Sequence, residues 1–144
     1  MALRPGLSLE AMHQTLKVGL PALLGIEAVG MAEGELQMRL PLEARLLAPN
    51  GYLHAASVIA LADTACGFAC MAHLPEGAFS FTTIELKANF LGTATTGSLL
   101  AHAHALHLGR TTQVWDATVS HAESGRVIAE FRCTQMVLWP KGTG

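Results

Sequence analysis

Charge is scarce in this sequence. Only 14% of its 144 residues are Asp, Glu, Lys or Arg, against 51% that are hydrophobic. So apolar a chain is not a disordered one, since it has ample surface to bury. The few charges nearly cancel, to a formal −2, and form no run of one sign. That argues against a polyanion-binding surface, so no nucleic acid is expected as partner. Cysteine is sparse too. Cys66, Cys70 and Cys133 are an odd number in apolar surroundings, which suits reduced, buried thiols in the cytoplasm better than a disulfide framework. Long Leu- or Ile-rich runs are missing. The opening MALRPGLSLEAMH is interrupted by Glu10 and His13, so it lacks the apolar core of a signal peptide. The stretch Ala55–Ala72 carries one charge, Asp63, but is built from Ala, Ser, Thr, Cys and Gly. It reads as a buried core helix, and no membrane association is expected. No nucleophile elbow and no internal repeat occurs.

The length fits a single domain over 1–144, with an N-terminal helical segment at 1–24, a core at 25–139 and a tail at 140–144. A monomer of this size cannot easily hide so much apolar surface, so self-association is expected. Residues 8–16 read as a short helix with Ser8 as N-cap and Leu9, Met12 and Leu16 on one face, weakened beyond by Gly19 and Pro21. Residues 26–31 and 35–40 read as strands around a Glu33-Gly34 turn. A loop bracketed by Pro41 and Pro49-Asn50-Gly51 leads to a long helix from near His54 to before Pro75. Four strands follow, over 79–90, 98–107, 111–121 and 126–139, divided by glycine-containing turns. In the last, Val127, Ala129, Phe131, Cys133 and Val137 take one face and Glu130, Arg132 and Thr134 the other. Short turns imply antiparallel pairing, and one apolar helix in such a chain belongs inside the sheet's curve: an α+β fold.

Asp63 is the one carboxylate in that helix. Ile59, Ala60, Cys66 and Gly67, its neighbours three and four positions away, offer it no partner. An unpaired buried carboxylate costs several kcal/mol. Asp63 therefore faces solvent at a packing gap, bonds to a neighbouring strand, or works in a cleft. Three segments bear on the choice. At Asn50-Gly51-Tyr52-Leu53-His54-Ala55-Ala56, a turn delivers the chain to a helix start, whose free N–H groups suit a developing oxyanion. Along residues 82–90, simple alternation groups Thr83 with Glu85, Lys87 and Asn89, opposite Ile84, Leu86, Ala88 and Phe90. Thr83 either orients Asp63 or belongs to a solvated face. His107-Leu108-Gly109-Arg110-Thr111-Thr112 is a turn whose Arg110 either holds a phosphate or carboxylate or is a solvated end. His102, His104 and His107 suggest metal only weakly, because alternation puts His107 on the other face; no metal site is expected. Trp115 and Trp139 read as sheet packing or interface rather than substrate stacking.

Taken together, LHAASVIALADTACGFA, FTTIELKANFLGTATTG and HLGRTTQVWDATV resemble the hot-dog thioesterases of the phenylacetate-degradation (PaaI-like) type. The resemblance spans about residues 49–139, with three motifs in order and spacing. It implies a hot-dog fold, an antiparallel curved sheet wrapped around one long central helix. It also implies hydrolysis of acyl-CoA thioesters by a homotetramer built as a dimer of dimers, with no cofactor, since coenzyme A belongs to the substrate. In that pattern a His-Gly-Gly opens the helix, the amide after the His polarises the thioester carbonyl, and an acid nine residues beyond acts as nucleophile or general base. Here these are His54, Ala55 and Asp63. A hydroxyl on the next strand matches Thr83, and coenzyme A contacts at the Gly-Arg turn match Gly109 and Arg110, with Thr111 beside them. The chain departs from the pattern in carrying His54-Ala55-Ala56, and Ala48 where some relatives have Asn. One inference needs no family. Nine residues of helix place His54 and Asp63 roughly 13 Å apart and on opposite sides. If both act on one carbonyl, two subunits share each site. A hot-dog dehydratase or hydratase and a non-catalytic acyl-CoA-binding oligomer are the competing readings.

Overall fold

The computed structural model describes residues 2–142. Met1, Thr143 and Gly144, the extremes of the expected domain and tail, lie outside the described residues. Helix α1 spans Leu9–Thr15, capped by the Ser8 hydroxyl, which accepts from the Ala11 N–H at 3.1 Å. A second short helix, α2, spans Gly19–Leu24 and was not expected from the sequence. Pro21 falls in its first turn, where a missing N–H costs nothing, and Gly25 ends it at φ 79°. Strands β1 (Glu27–Ala32) and β2 (Glu35–Pro41) lead to the helix α3 (Ala55–Ala72). The strands β3 (Ser80–Phe90), β4 (Ser98–Leu108), β5 (Thr112–His121) and β6 (Val127–Leu138) follow.

All six strands form one antiparallel sheet in the order β1-β2-β4-β5-β6-β3, with α3 packed against its inner face. The α+β hot-dog arrangement expected from the sequence is the one observed. Leu61, Ala62, Ala65, Cys66, Ala69 and Cys70 of α3 meet Leu36, Met38, Leu99, Trp115, Val119 and Cys133 of the sheet with no exposure at all. The apolar length of α3 is thus accounted for by the sheet around it. Its small side chains let the strands close in on the helix, and dispersion at that density holds the layers together. His73 closes the helix end. Its Nε2 accepts from the Gly34 N–H and its Nδ1–H donates to Ala69 O, both at 2.8 Å, tying the β1–β2 turn to α3.

Three expectations from simple alternation need correction, each because a bulge inserts one extra residue and resets the faces. In β6 the register shifts against Val119 and Ser120, so Ile128 is buried and Val127, expected inside, is 38% exposed. In β4 the shift lies between Ala105 and His107, so His107 shares the outer face with His102 and His104. In β3 the shift lies between Thr83 and Glu85. Thr83 opposes buried Gln135 and joins Leu86, Ala88 and Phe90 on the face towards the helix, whereas Glu85, Lys87 and Asn89 point outwards.

Candidate active site

The helix start is built by a tight loop. A bridge between Leu47 and Leu53 closes it, Gly51 turns it at φ 86°, and the Asn50 Oδ1 accepts from the Tyr52 N–H at 3.2 Å. The Asn50 side chain thereby serves its own turn. His54 is the N-cap of α3, and its Nδ1 accepts from the Ala56 N–H at 3.0 Å. That bond puts the ring proton of a neutral His54 on Nε2. The Ala55 N–H, first of the helix, has no partner within it. Ala55 is exposed, so this donor faces outwards with the positive end of the helix dipole behind it.

Asp63 sits two and a half turns further on, half-buried, at the seam where α3 lies along β3. Its Oδ1 is buried and accepts no hydrogen bond. Burial pushes its pKa up, and the nearby Thr83 hydroxyl pulls it part of the way down. The Thr83 proton itself goes to Gln135 Oε1 at 2.8 Å. Of the readings open at the sequence level, a buried Oδ1 disfavours a carboxylate turned to bulk water. The bulge in β3 is what brings Thr83 to the face towards α3.

A cavity of about 280 Å³ is lined by Gly67, Phe68 and Met71 of α3, Phe81 of β3, and Leu7, Ala11, Met12 and Thr15 around α1. Gly67 is one turn beyond Asp63, and Phe81 is two residues before Thr83. A Cβ on Gly67 would stand 3.0 Å from the Phe81 ring, so glycine here allows the ring to lie on the helix. Sequence reasoning missed the contribution of α1. The signal was a second apolar stripe, Leu7 and Ala11, beside the face that carries Met12 and Leu16. Cys66 and Cys70 point away from the cavity into the core.

The β4–β5 turn is held tightly. The Gly109 N–H donates to Thr112 O at 3.0 Å, and a Cβ on Gly109 would collide with His107 and Thr112. The Arg110 guanidinium lies 4.8 Å from the centre of the Trp139 ring, whose N–H donates to Arg110 O at 3.1 Å. The Thr111 carbonyl accepts from the Val137 N–H at 2.9 Å. Trp139 stands four residues beyond Gln135, so this turn is roughly 13 Å along the sheet from Thr83. On the outer face, Asp116 is gripped by Arg132 through two bonds and lies 3.9 Å from His104. Among the described residues no three candidate metal ligands gather.

A helix start with a free amide, a lone desolvated carboxylate and an apolar cavity, all on a sheet wrapped around one helix, define a class. Residues 50–128 match the family model of the thioesterase superfamily. The chain belongs to that superfamily and is a thioester hydrolase of the hot-dog fold. It is 30% identical to the 1,4-dihydroxy-2-naphthoyl-CoA hydrolase of Listeria monocytogenes, over 81% of this chain and 94% of that one. It superposes on the crystal structure of a mutant thioesterase from Pseudomonas aeruginosa with a TM-score of 0.89 at 30% identity, covering 96% of this chain and 99% of that chain. The PaaI protein from the phenylacetic acid degradation operon of Escherichia coli gives a TM-score of 0.79 over 89% of this chain and 90% of that one. Its 24% identity carries the fold alone.

Proposed function

We infer that the protein hydrolyses an acyl-CoA thioester, with Asp63 as the carboxylate that attacks the carbonyl or activates water. The single observation that carries this reading is the buried, unpartnered Oδ1 of Asp63, one helical turn before Gly67 in the lining of an apolar cavity. A purely structural carboxylate would have found donors. The Ala55 N–H is the proposed oxyanion donor, positioned by His54, and Thr83 assists Asp63. The cavity receives the acyl group, and its apolar lining suits an aryl or medium aliphatic chain. The coenzyme A arm runs towards Gly109, Arg110 and Thr111, where Arg110 offers the cation for a phosphate.

The proposed unit is a homo-oligomer, a dimer at least and a dimer of dimers in the full assembly. Its support is the edge strand β3, which presents Ile84 at 54%, Phe90 at 46% and the adjoining Leu91 at 64% exposure beside a row of unpaired backbone groups. Polarity supports a shared site. Asp63 and Gly67 lie at the Thr83–Phe81 end of β3, whereas the helix start is tied to the other end by the Leu53 N–H bonded to Thr93 Oγ1 at 3.1 Å. A two-fold axis pairing β3 with its copy brings the partner's helix start to the Asp63 end. Three free, buried thiols fit a cytoplasmic location.

The experiment is thiol release across a panel of aliphatic and aryl acyl-CoAs, for wild type and Asp63→Asn. Loss of turnover in a folded Asp63→Asn protein is expected, and wild-type turnover in that variant would sink the reading.

A further inference from the structure

The approach to α3 is held from two sides. In the loop that ends at the helix, the Tyr52 carbonyl accepts from the Ala48 N–H at 2.7 Å and the His54 N–H donates to Leu46 O at 3.2 Å. The buried Ser57 hydroxyl, in the first turn of the helix, also donates to Leu46 O, at 2.8 Å. Residues 52 and 54 thus face their own loop. Successive backbone groups of an extended chain point to opposite sides, so the Leu53 N–H is turned away from that loop. Its acceptor comes from 40 residues further along the chain: Thr93 Oγ1, at 3.1 Å.

Thr93 is itself fixed. It lies just beyond Phe90, the last residue of β3, in the connection to β4. The Leu91 and Gly92 N–H groups before it both donate to Ile128 O, at 2.8 and 3.1 Å. A Cβ on Gly92 would stand 3.1 Å from Val127 O, so the chain runs close over the start of β6. The Thr93 carbonyl accepts from the Arg126 guanidinium, and the Thr96 carbonyl accepts from the His121 Nε2–H at 3.0 Å. The β5–β6 corner grips this short connection, and the Thr93 hydroxyl carries the grip to the helix start.

We propose that Thr93, clamped by Arg126, is a positioning residue for the Ala55 N–H. The inference rests on that N–H being the oxyanion donor of the proposed hydrolase. Only His54 stands between Leu53 and Ala55, so any displacement of Leu53 reaches the donor through the chain itself. An oxyanion donor acts only while it stands at hydrogen-bond distance from the developing charge, and misplacement far from the chemistry is enough to lose it. The same connection follows directly on the exposed Phe90 and Leu91 of the proposed subunit contact. One stretch of chain therefore holds both that contact and the amide offered to Asp63 of the partner subunit.

The test is thiol release on the acyl-CoA that the wild type turns over fastest, with kcat and KM measured separately. Thr93→Val keeps the shape and removes the acceptor; kcat should fall about tenfold, with KM within about threefold of wild type. Thr93→Ser keeps the acceptor and should stay within about twofold of wild type. Ala55→Pro removes the donor itself. In that background Thr93→Val should cost less than about twofold more, because a positioning residue has nothing left to position. A loss of packing alone would slow both backgrounds alike. Full kcat in Thr93→Val, no recovery in Thr93→Ser, or an undiminished penalty beside Ala55→Pro overturns the proposal. Should Thr93→Val not fold, Arg126→Met, at the exposed end of the clamp, is read by the same criteria with Arg126→Lys as its conservative counterpart. Failure of the hydrolase reading looks different: a wild type inert across the whole panel, or Ala55→Pro at full rate, takes away the donor and this inference with it.

Discussion

Asp63 is held at a cost that varies with pH. Its folded pKa is raised above the ordinary 3.8 by burial. Below that value both folded and unfolded chains carry a neutral carboxyl, and burial is cheap. As pH climbs through the folded pKa, the native state must ionise a desolvated group that the unfolded chain ionises freely, so stability drains away. Asp63→Asn should therefore match the wild type in acid and become the more stable protein towards neutrality. Urea midpoints over a pH series check this, and a gap independent of pH would count against a desolvated carboxyl. This residue was legible in the sequence because a lone charge in an apolar helix has no cheap explanation. Gln135 was not. A glutamine in a strand looks like any solvent-facing polar residue until its partner strands are known.

At the scale of elements, the expected order of helix and strands was readable from periodicity, and the inner faces were not always. Alternation grouped Thr83 with Glu85, Lys87 and Asn89, and a single extra residue at Ile84 sets it on the opposite face from them. Bulges leave no reliable mark in one sequence, because the inserted residue need not be glycine. Helix α2 was lost for a related reason: Gly19 and Pro21 read as breakers, yet in a short helix both fall in the first turn, where the backbone tolerates them. The pairing of α3 with β3 also carries a prediction. Gly67→Ala sets a methyl 3.0 Å from the tip of the Phe81 ring and drives it into the cavity. Activity on the bulkiest acyl-CoAs should fall by about tenfold in kcat/KM, with short-chain substrates spared, because a methylene's worth of pocket is worth about 1–3 kcal/mol. Uniform loss across the chain-length panel would show that the acyl group binds elsewhere.

At the scale of the whole molecule, apolar composition alone asked for a partner, and the structure shows where the excess surface lies. Thr83, Ile84 and Leu86 follow one another along an open sheet edge. Ile84→Lys places a charge at the centre of the proposed contact and should turn the oligomer into monomers, with activity lost in step; light scattering and thiol release on the same fractions would test it. A monomer that keeps full turnover would refute the shared site. The number of subunits was not legible, since it depends on surfaces that fold patterns do not specify.

The helix start permits one more experiment. Ala55 occupies the first helical position, where proline fits, and His54 already holds the extended backbone that a following proline demands, at φ −70° and ψ 131°. Ala55→Pro thus deletes one amide hydrogen and little else, and should cost kcat about a hundredfold or more. Asp63→Asn should be equally inactive. Co-expressed, the two crippled chains would complement each other: half of the random pairs would be mixed, each with one intact catalytic centre, returning about a quarter of the native rate. Two recessive lesions in one gene would then behave as if they lay in two.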